Sequence, residues 1–393
     1  MIGIAIGLAV MILTVSIVLG FKQEITKRIT GLTTDIAINN INLNPGNEPE
    51  PIRISDDTLK IIRNMPFVAH VQAGTFKNGL LKTTNENEGV LLKGVDSTYD
   101  FSFLKAHLVE GDLPELRSAI AGRDILVSQQ LANRLQLKLR DKVSIYFLSH
   151  HEVKDSVSGL AISQSEQRSR KFVICGIFKT DFTDFDEKLS VVDIRHLQKI
   201  NYWDSSMVGN YEINVKDFKN VEANVDELKD LLGYNYNVNS VKEIYANIFI
   251  WLDKLDVNGI IVVVLMVLVA TVNMITALLI LILERANMIG LLKAMGMTNV
   301  SVKQIFLRVS YHLIGRGLVW GNVIGIGLCL IQQYLKPVKL DGETYYVNYV
   351  AIDMNWLYIL GLNVGTFAVC MLMLLLPTMI LSRLTPLKTL KFD

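Results

Sequence analysis

Four long apolar segments divide the chain. Three of them contain no charged residue and cover Met1–Phe21, Val257–Leu283 and Met354–Ser382. Because about 20 apolar residues cross the hydrocarbon core of a bilayer as a helix, each segment is long enough to span a membrane. Buried helices of a soluble protein, the alternative interpretation, rarely contain apolar runs of this length. The pattern therefore predicts transmembrane helices within residues 1–21, 241–283 and 354–382.

The fourth apolar segment, Gly317–Leu335, is shorter than the other three. We expect its helix to begin earlier, near Ile305, with the long side chains of Arg308 and Arg316 reaching toward a nearby interface. This segment gives a fourth transmembrane helix at residues 305–335. The chain then consists of a first span, a long polar segment, and three further spans joined by short loops.

The Lys and Arg content of the short loops predicts the orientation of the spans. The loop at 284–304 and the tail at 383–393 are both predominantly basic, so we expect them in the cytoplasm. The loop at 336–353 holds two Lys residues against three acidic residues, which is typical of the opposite side. With four spans, the long segment at 22–240 must then lie outside the cytoplasm as well.

The residues beside the first span disagree with this orientation. Lys22, Lys27 and Arg28 follow the span on its predicted outer side, and no basic residue precedes it. We therefore expect that the natural chain begins earlier, with a basic cytoplasmic segment. A cleaved signal peptide is the alternative, but a positive leading region and a small-residue cleavage site are missing from the sequence.

The long segment between the first two spans has the pattern of a folded α+β domain. Ser128 can cap a short helix that runs to Leu135, and Asn220–Leu232 has apolar residues at helical spacing. Alternating apolar and polar residues predict strands at Asp35–Leu43, Val90–Val95, Lys142–Leu148, Lys171–Ile177, Leu189–Val192 and Tyr211–Val215. The predicted fold is therefore a membrane protein of four transmembrane α-helices, with a large α+β extracytoplasmic domain inserted between helices 1 and 2.

Apolar residues at helical spacing continue beyond two of the spans. After the first span, Phe21, Ile25 and Ile29 keep to one helical face until Gly31, which can end a helix. Before the second span, a similar stripe runs from Val241 through Leu252 into the apolar segment. Both spans are therefore predicted to extend outward as stalk helices, which would transmit movement out of the membrane. The alternative is that each stripe packs on the core of the domain itself.

The polar segment Ser149–Arg170 lies between two predicted strands and carries a few apolar residues near its middle. A protruding hairpin would present Val157, Leu160 and Ile162 as a small apolar tip for a partner, and an ordinary solvated loop is the alternative. The adjacent pair His150–His151 has no other ligand at metal-binding spacing, so we predict no metal site.

Composition excludes several classes of protein. The chain has 39 Lys and Arg against 38 Asp and Glu, which argues against a protein that binds nucleic acid through bulk charge. Half of its residues are hydrophobic, and this excludes a disordered chain. Its mean hydropathy of +0.34 is intermediate between soluble and polytopic membrane proteins, as expected for a protein with both parts.

Motifs of nucleotide chemistry are missing from the sequence. There is no G-x-x-x-x-G-K-[ST] segment and no Gly-Lys dipeptide, so a phosphate-binding P-loop cannot form. We predict no catalytic, cofactor or metal site, and we expect that any ATP hydrolysis takes place in a partner subunit. The spans contain no Asp or Glu, which argues against a transporter driven by protons or cations.

The third predicted span contains two overlapping G-x-x-x-G patterns. Gly317, Gly321 and Gly325 lie four residues apart and therefore on one face of a helix. Small residues at this spacing let helix backbones approach closely in lipid. We predict a helix-packing role for these glycines, either within the chain or at a dimer interface.

The predicted cytoplasmic loop after the second span is the most specific stretch of the sequence. A short amphipathic helix on the inner membrane surface is one interpretation. The other is a coupling helix that inserts into a groove of a cytoplasmic ATPase. The residues predicted to couple to the ATPase are Glu284, Arg285, Met288, Ile289, Gly290, Leu292, Lys293, Met295 and Gly296.

This loop also carries a family resemblance. The stretch E-R-x-N-x-I-G-L-L-K-A-M-G resembles the signature of ABC transporter permeases with an FtsX-like core, the MacB-type (type VII) superfamily. The closing segment Ser382–Leu390 and the four-span order are similar to the same superfamily. Three segments resemble the lipoprotein-releasing LolC/LolE branch. They are Val18–Gly31, Gly94–Asp96 and Leu340–Trp356, and in the last of these Ala351 replaces the usual Pro.

The resemblance implies a function that the residues alone do not give. It implies a permease subunit in the bacterial inner membrane that works with a cytoplasmic ABC ATPase and a second permease subunit, identical or paralogous. The large domain would be periplasmic, the substrate would be a lipoprotein in contact with membrane lipid, and a periplasmic lipoprotein carrier could bind the 149–170 hairpin. That hairpin lacks the proline-rich character of the carrier-recruiting hook in one branch member.

Two other functions remain open at this point. A MacB/FtsX-like mechanotransmitter would drive efflux or control cell-wall hydrolases through the same architecture. A membrane sensor or scaffold would bind a ligand through the outer domain and transport nothing. The neighbouring genes or an ATPase partner would distinguish these alternatives.

Overall fold

A computed structural model describes residues 2–41, 49–83, 86–118, 120–154, 161–285, 288, 291 and 295–373. The chain divides into two compact units. The helical unit comprises Met1–Glu24, Ile250–Leu340 and Asn348–Asp393. The sheet unit comprises Ile25–Phe249 and Asp341–Val347.

Helices are found in both units. The longer ones are α1 (Ile2–Leu32), α7 (Val221–Leu232), α9 (Ala246–Glu284), α10 (Asn299–Leu335) and α12 (Trp356–Met373). The shorter ones are α2 (Asp56–Arg63), α3 (Ser102–Ala106), α4 (Gln129–Arg134), α5 (Thr183–Asp186), α6 (Ile194–Ile200), α8 (Val241–Ile244) and α11 (Gly342–Tyr345). Single 3₁₀ turns lie at Phe218–Asn220 and Gly233–Asn235.

Four helices of the described residues are long and apolar enough to cross a membrane, which agrees with the predicted number of spans. These candidate spans are Ile2–Leu32, Ala246–Ala277, Val300–Leu335 and Trp356–Met373. The residues Thr298 and Asn299 were predicted as candidate caps of the helix that leads into the third span, and Thr298 is the cap: its side chain accepts a hydrogen bond from the Ser301 amide, and the predicted span from Ile305 lies within α10. The predicted end of the last span, beyond Met373, lies outside the described residues.

The described strands form one mixed sheet in the sheet unit. The strands are β1 (Ile36–Asn40), β2 (Val68–Lys82), β3 (Asn87–Val95), β4 (Leu108–Gly111), β5 (Asp124–Ser128), β6 (Lys142–Lys154), β7 (Ala161–Phe178), β8 (Leu189–Asp193), β9 (Asn210–Val215) and β10 (Tyr236–Ser240). These ten strands run in the order β10-β1-β9-β2-β3-β8-β5-β7-β4, and β6 pairs with β2 and β7. The β3–β8 and β5–β7 pairs are parallel, and the other pairs are antiparallel.

The sequence pattern predicted six of these strands and missed others. Each predicted stretch overlaps one of β1, β3, β6, β7, β8 and β9. The long central strand β2 was missed because the polar side chains of Gln72, Thr75 and Lys77 are buried within it, and this hides the usual alternation. Both predicted helices are present as α4 and α7, and the Ser128 hydroxyl caps α4 at the Leu131 amide, as expected.

Two hydrophobic clusters hold helices against the sheet. One cluster joins β1, β9 and β10 to α2 and α7, and it includes Ile38, Ile62, Ile213, Val225 and Leu228. The other joins β3, β5, β6 and β7 to α4 and α6, and it includes Leu92, Ile125, Leu131, Phe172 and Leu197. Burial of these side chains is the main stabilising contribution to the sheet unit.

The two predicted stalks differ in the structure. Helix α1 runs without interruption from Ile2 to Leu32, past the end of its apolar segment. The second stripe is divided between α8 and α9, because Tyr245 has φ −107° and ψ 39°, which is not a helical conformation. Within that stripe Val241, Phe249 and Leu252 are buried.

Candidate functional site

The turn that follows β7 is closed by its own hydrogen bonds. We call Thr180–Asp186 the junction turn. The Asp186 carboxylate accepts hydrogen bonds from the Thr180 amide (3.0 Å), the Thr180 hydroxyl (2.7 Å) and the Asp181 amide (2.9 Å). Burial raises the pKa of Asp186, and the hydrogen bonds from Thr180 oppose that shift. These bonds fix the backbone of the turn in one conformation.

Three segments of the sheet unit meet at the junction turn. In α1 the buried Arg28 donates a hydrogen bond of 2.7 Å from Nη1 to the Thr180 carbonyl. Between α8 and α9, the Tyr245 ring packs edge-on against Phe185, with ring centroids 6.2 Å apart. After α11, the Tyr346 ring stacks on Phe182, with centroids 5.1 Å apart.

These contacts have a common position along the chain. Arg28, Tyr245 and Tyr346 each lie within a few residues of a point at which the chain passes from one compact unit to the other. The arrangement therefore brings residues near three of these points to one short turn of the sheet unit.

A buried ion pair holds the end of α1 as well. Lys93 on β3 donates a hydrogen bond of 2.7 Å to the carbonyl of Leu32, the last residue of α1, and pairs with Glu212 on β9 at 2.9 Å. Both charged side chains are at most 1% exposed. Glu212 also accepts hydrogen bonds from Gln72 (2.7 Å) and Asn210 (3.3 Å). A cation at a helix C-terminus complements the helix dipole, so Lys93 stabilises the last turn of α1.

The sequence pattern did not predict these anchoring residues. Lys93 interrupts the apolar stretch VLLKGV, and Glu212 lies between the apolar residues Tyr211 and Ile213 of β9. Opposite charges in two such strands are the signal that indicates a buried pair, because a lone buried charge is too costly. Arg28 was interpreted only as a charge beside the first span, and nothing local marks its partner, which is 152 residues away.

Inside the helical unit, α1 packs closely along α9. A Cβ atom added to Gly3 would lie 2.6 Å from the Asn273 side chain, and one added to Gly259 would lie 3.2 Å from Val18. Near the other end of the contact, the Lys22 ammonium pairs with Asp256 at 2.6 Å and with Asp253 at 3.1 Å. Small residues and these ion pairs therefore hold the two helices side by side.

The predicted packing glycines of α10 contact α1 of the same chain. A Cβ atom on Gly321 would lie 2.9 Å from the Leu8 Cβ, and one on Gly325 would lie 3.1 Å from the Ala9 Cα. Gly317 is buried on the same helix. The structure thus brings Gly321 and Gly325 to an interface within one chain, not to an open face for a dimer.

Reciprocal hydrogen bonds between two side-chain amides join α10 to α12. Asn322 donates to the Asn363 side-chain oxygen at 2.6 Å, and Asn363 donates back to the Asn322 oxygen at 3.0 Å. Both side chains are partly buried within apolar helices. Lipid chains offer no hydrogen-bond partner to a side-chain amide, so the bonds between the two helices satisfy these polar groups.

The predicted coupling segment is described only in part. Its residues Ile289, Gly290, Leu292 and Lys293 lie outside the described residues. Glu284 ends α9, and Arg285, Met295 and Gly296 are exposed, the last with φ +97°. Met288, Leu291 and Met295 are 48%, 56% and 78% exposed, and their spacing of three and four residues is that of one helical face. The segment therefore presents apolar side chains, including Leu291, which was not among the predicted contacts.

The predicted hairpin at 149–170 is present as a long two-stranded arm. Strands β6 and β7 stay paired as far as Lys154 and Ala161. Val157 and Leu160 lie outside the described residues, and Ile162 is described only by its position in β7 opposite Val153. Across the described part of the chain, no group of three His, Cys, Asp or Glu side chains is placed to hold a metal ion.

Comparisons with known proteins identify both parts of the chain. A family model described as the MacB-like periplasmic core domain matches residues 1–231, and one described as the FtsX-like permease C-terminal matches residues 260–386.

Individual relatives are distant but match over the full length. The lipoprotein-releasing system transmembrane protein LolC of Xylella fastidiosa is 22% identical over 403 residues, which cover 100% of this chain and 92% of the relative. LolE of Haemophilus influenzae is 21% identical, with 99% of this chain and 92% of the relative covered. A solved structure, the periplasmic region of MacB from Actinobacillus actinomycetemcomitans, is 15% identical with a TM-score of 0.37, and the match covers 57% of this chain and 98% of that one.

Proposed function

We propose a function for this chain from one premise: it belongs to the family of FtsX-like permeases that carry a MacB-like periplasmic core domain. It is accordingly a membrane permease with an extracytoplasmic domain, formed by the sheet unit. Our proposal is that it is one permease subunit of an ATP-driven ABC complex of the bacterial inner membrane. This complex releases lipoproteins from that membrane for transfer to the outer membrane.

The relatives and the energetics support a lipoprotein substrate. The relatives named as lipoprotein-releasing proteins align along the whole chain, including its extracytoplasmic domain. Removing an acyl-chain anchor from a bilayer costs about 0.8 kcal/mol for each buried CH₂ group, so release needs an energy source. This sequence has no P-loop, and we infer that a cytoplasmic ABC ATPase supplies the energy.

The junction turn is the observation that carries the mechanical part of the proposal. Arg28, Tyr245 and Tyr346 connect three segments to this one turn, and Lys93 fixes the end of α1 beside them. When the ATPase closes, it would push on the coupling segment and shift the apolar helices. The three segments would then move together, and the sheet unit would change position as one body.

Exposed apolar side chains on α9 support a partner within the membrane. Val257, Ile260, Val264 and Leu268 are each more than half exposed and lie at helical spacing. We infer that they face lipid, the acyl chains of the substrate, or a second permease subunit, identical or paralogous. A contact between the 149–170 hairpin and a periplasmic lipoprotein carrier belongs to the same proposal.

Reconstitution tests the proposal directly. The chain is reconstituted into proteoliposomes with the ABC ATPase that co-purifies with it and a triacylated lipoprotein, and release is measured with and without ATP. Replacing Met288, Leu291 and Met295 with Asn should abolish ATPase binding and release together, because the exposed apolar face is removed. The matched control is Ile61→Asn, which changes a side chain 52% exposed on α2 and should retain both activities.

Two results would contradict the proposal. If the complex hydrolyses ATP but releases no lipoprotein, the function is a different form of mechanotransmission, such as efflux or control of cell-wall hydrolases. If no ATPase binds the intact chain, a sensor or scaffold role replaces transport altogether.

A further inference from the structure

One face of α10 carries three basic side chains in a row. Arg308, His312 and Arg316 follow one another at intervals of four residues, so they project from the same side of the helix. All three side chains are exposed. A cavity of about 710 Å³ runs along this face and is lined by these residues together with Ser301 and Ile305.

The positive charge on this face is not compensated nearby. No Asp or Glu occurs in the sequence between Arg285 and Leu340. Within the described part of the chain, neither Arg308 nor Arg316 forms an ion pair. The His312 ring is held against its own helix, because Nδ1 donates a hydrogen bond of 3.0 Å to the Arg308 carbonyl. The two guanidinium groups therefore retain their hydrogen-bond donors for a ligand.

The length of α10 places this face at a membrane surface. The apolar segment Gly317–Leu335 is about 28 Å long as a helix, which matches a hydrocarbon core of about 30 Å. Arg316 then lies at the edge of that core, and Arg308 lies about 12 Å further along the axis. Tyr311, 55% exposed between them, is an aromatic residue of the kind that is enriched at membrane interfaces.

The side of the membrane follows from the topology. The sheet unit is extracytoplasmic, and α9 crosses from it to Glu284. The N-terminal half of α10, which begins at Asn299, is therefore on the cytoplasmic side. That leaflet carries the anionic phospholipids that attract basic segments of membrane proteins.

We propose that Arg308, His312 and Arg316 form a binding site for the phosphate group of an anionic phospholipid in the cytoplasmic leaflet. Guanidinium groups bind phosphate oxygens in a bidentate manner, and two of them on one helix face can hold one headgroup from both sides. The site would hold the N-terminal half of α10 at a fixed depth in the membrane. It does not depend on the substrate that the complex transports.

Native mass spectrometry of the purified full-length chain tests this site. The protein is titrated with phosphatidylglycerol or with phosphatidylcholine in the same detergent. We expect clear preference for phosphatidylglycerol and a loss of affinity of about fivefold for Arg308→Gln or Arg316→Gln, since each basic residue near an anionic surface contributes about 1 kcal/mol. The double variant should bind about 25-fold more weakly. The double Arg→Lys variant keeps the charge but loses the bidentate geometry, so its affinity should lie between that of the natural chain and that of the double Gln variant.

Controls separate this site from general charge effects and from a protein partner. Lys254→Gln removes the same charge from an exposed position on α9 and should leave phosphatidylglycerol binding unchanged. Equal affinity for both lipids, or an unchanged affinity in a folded Arg308→Gln/Arg316→Gln variant, would overturn the proposal. If the double variant instead loses only the ATPase subunit, the face binds an acidic protein surface and the lipid site is wrong. Melting curves and size-exclusion profiles establish that each variant is folded.

Discussion

Replacing Lys93 with Met would test how the end of α1 is held. Met is close to Lys in size but carries no charge and donates no hydrogen bond. The change would leave the Glu212 carboxylate, 1% exposed, with only the neutral donors Gln72 and Asn210. It would also remove the hydrogen bond to the Leu32 carbonyl. Both effects act on the sheet unit and lower its free energy of unfolding.

The size of the effect follows from the burial of the pair. Removing one partner of a fully buried ion pair typically costs about 3–5 kcal/mol, because the other charge stays in a low-dielectric environment. For a domain of about 150–250 residues, 1 kcal/mol lowers the Tm by roughly 2–4 °C, so we expect a decrease of about 6–20 °C. The measurement is a thermal melt of the full chain in detergent, followed by tryptophan fluorescence. ATP-driven release should fall in parallel, since the end of α1 is no longer fixed.

Two further variants make the test decisive. Lys93→Met/Glu212→Gln removes both charges and should recover a large part of the lost Tm, because no charge is left unpaired. Lys82→Met, at an exposed position at the end of β2, should change the Tm little. A decrease below about 3 °C for Lys93→Met, or a double variant as unstable as the two single variants added together, would refute the reasoning.

Three other changes follow from the structure. Tyr346→Asn removes the ring that stacks on Phe182 and should lower ATP-driven release by up to about tenfold while ATP hydrolysis continues, as such pairs contribute roughly 0.5–1.5 kcal/mol. Gly321→Val would clash with α1 and lower the free energy of unfolding by about 1–3 kcal/mol, which a thermal melt would detect as a lower Tm, whereas Gly327→Val meets nothing within 4 Å and should be tolerated. Burial raises the pKa of Asp35 to about 6 in the folded chain. As the pH rises from about 4 to 6, this carboxyl group therefore loses its proton more readily in the unfolded chain, and the free energy of unfolding falls. Asp35→Asn should raise the Tm at pH 8 and leave it unchanged at pH 4.

The sequence predicted those elements whose local pattern and burial agree. The apolar segments predicted four spans because lipid demands apolar side chains all round a helix. Ser128 predicted α4 because a capping hydroxyl is a local signal. Strand β2 was missed because its central position buries polar residues, Gln72 among them, that a surface strand would expose. Tyr245 breaks the second stalk, although the apolar spacing on both sides of it is helical.

The candidate site was less accessible to sequence analysis than the fold. The coupling segment was predicted because its amphipathic spacing and its family signature are contiguous, and its coupling role stays a prediction. The junction turn was missed because each of its contacts joins residues far apart in the chain, such as Arg28 and Thr180. The glycines of α10 were predicted to pack, but their partner, α1, became known only from the three-dimensional arrangement.

The position of α1 has a consequence for how the protein is made. In its most apolar stretch 44% of the residues are buried, against 17% to 28% in the other three apolar helices. Its neighbours α9 and α10 are synthesised more than 200 residues later, and at about 5–20 residues per second the ribosome needs roughly 10–50 s to reach them. During that interval the faces of α1 that later pack on α9 and α10 must be shielded by lipid or by the insertion machinery. Nascent chains that stop before α9 should consequently be rapid targets of membrane proteases.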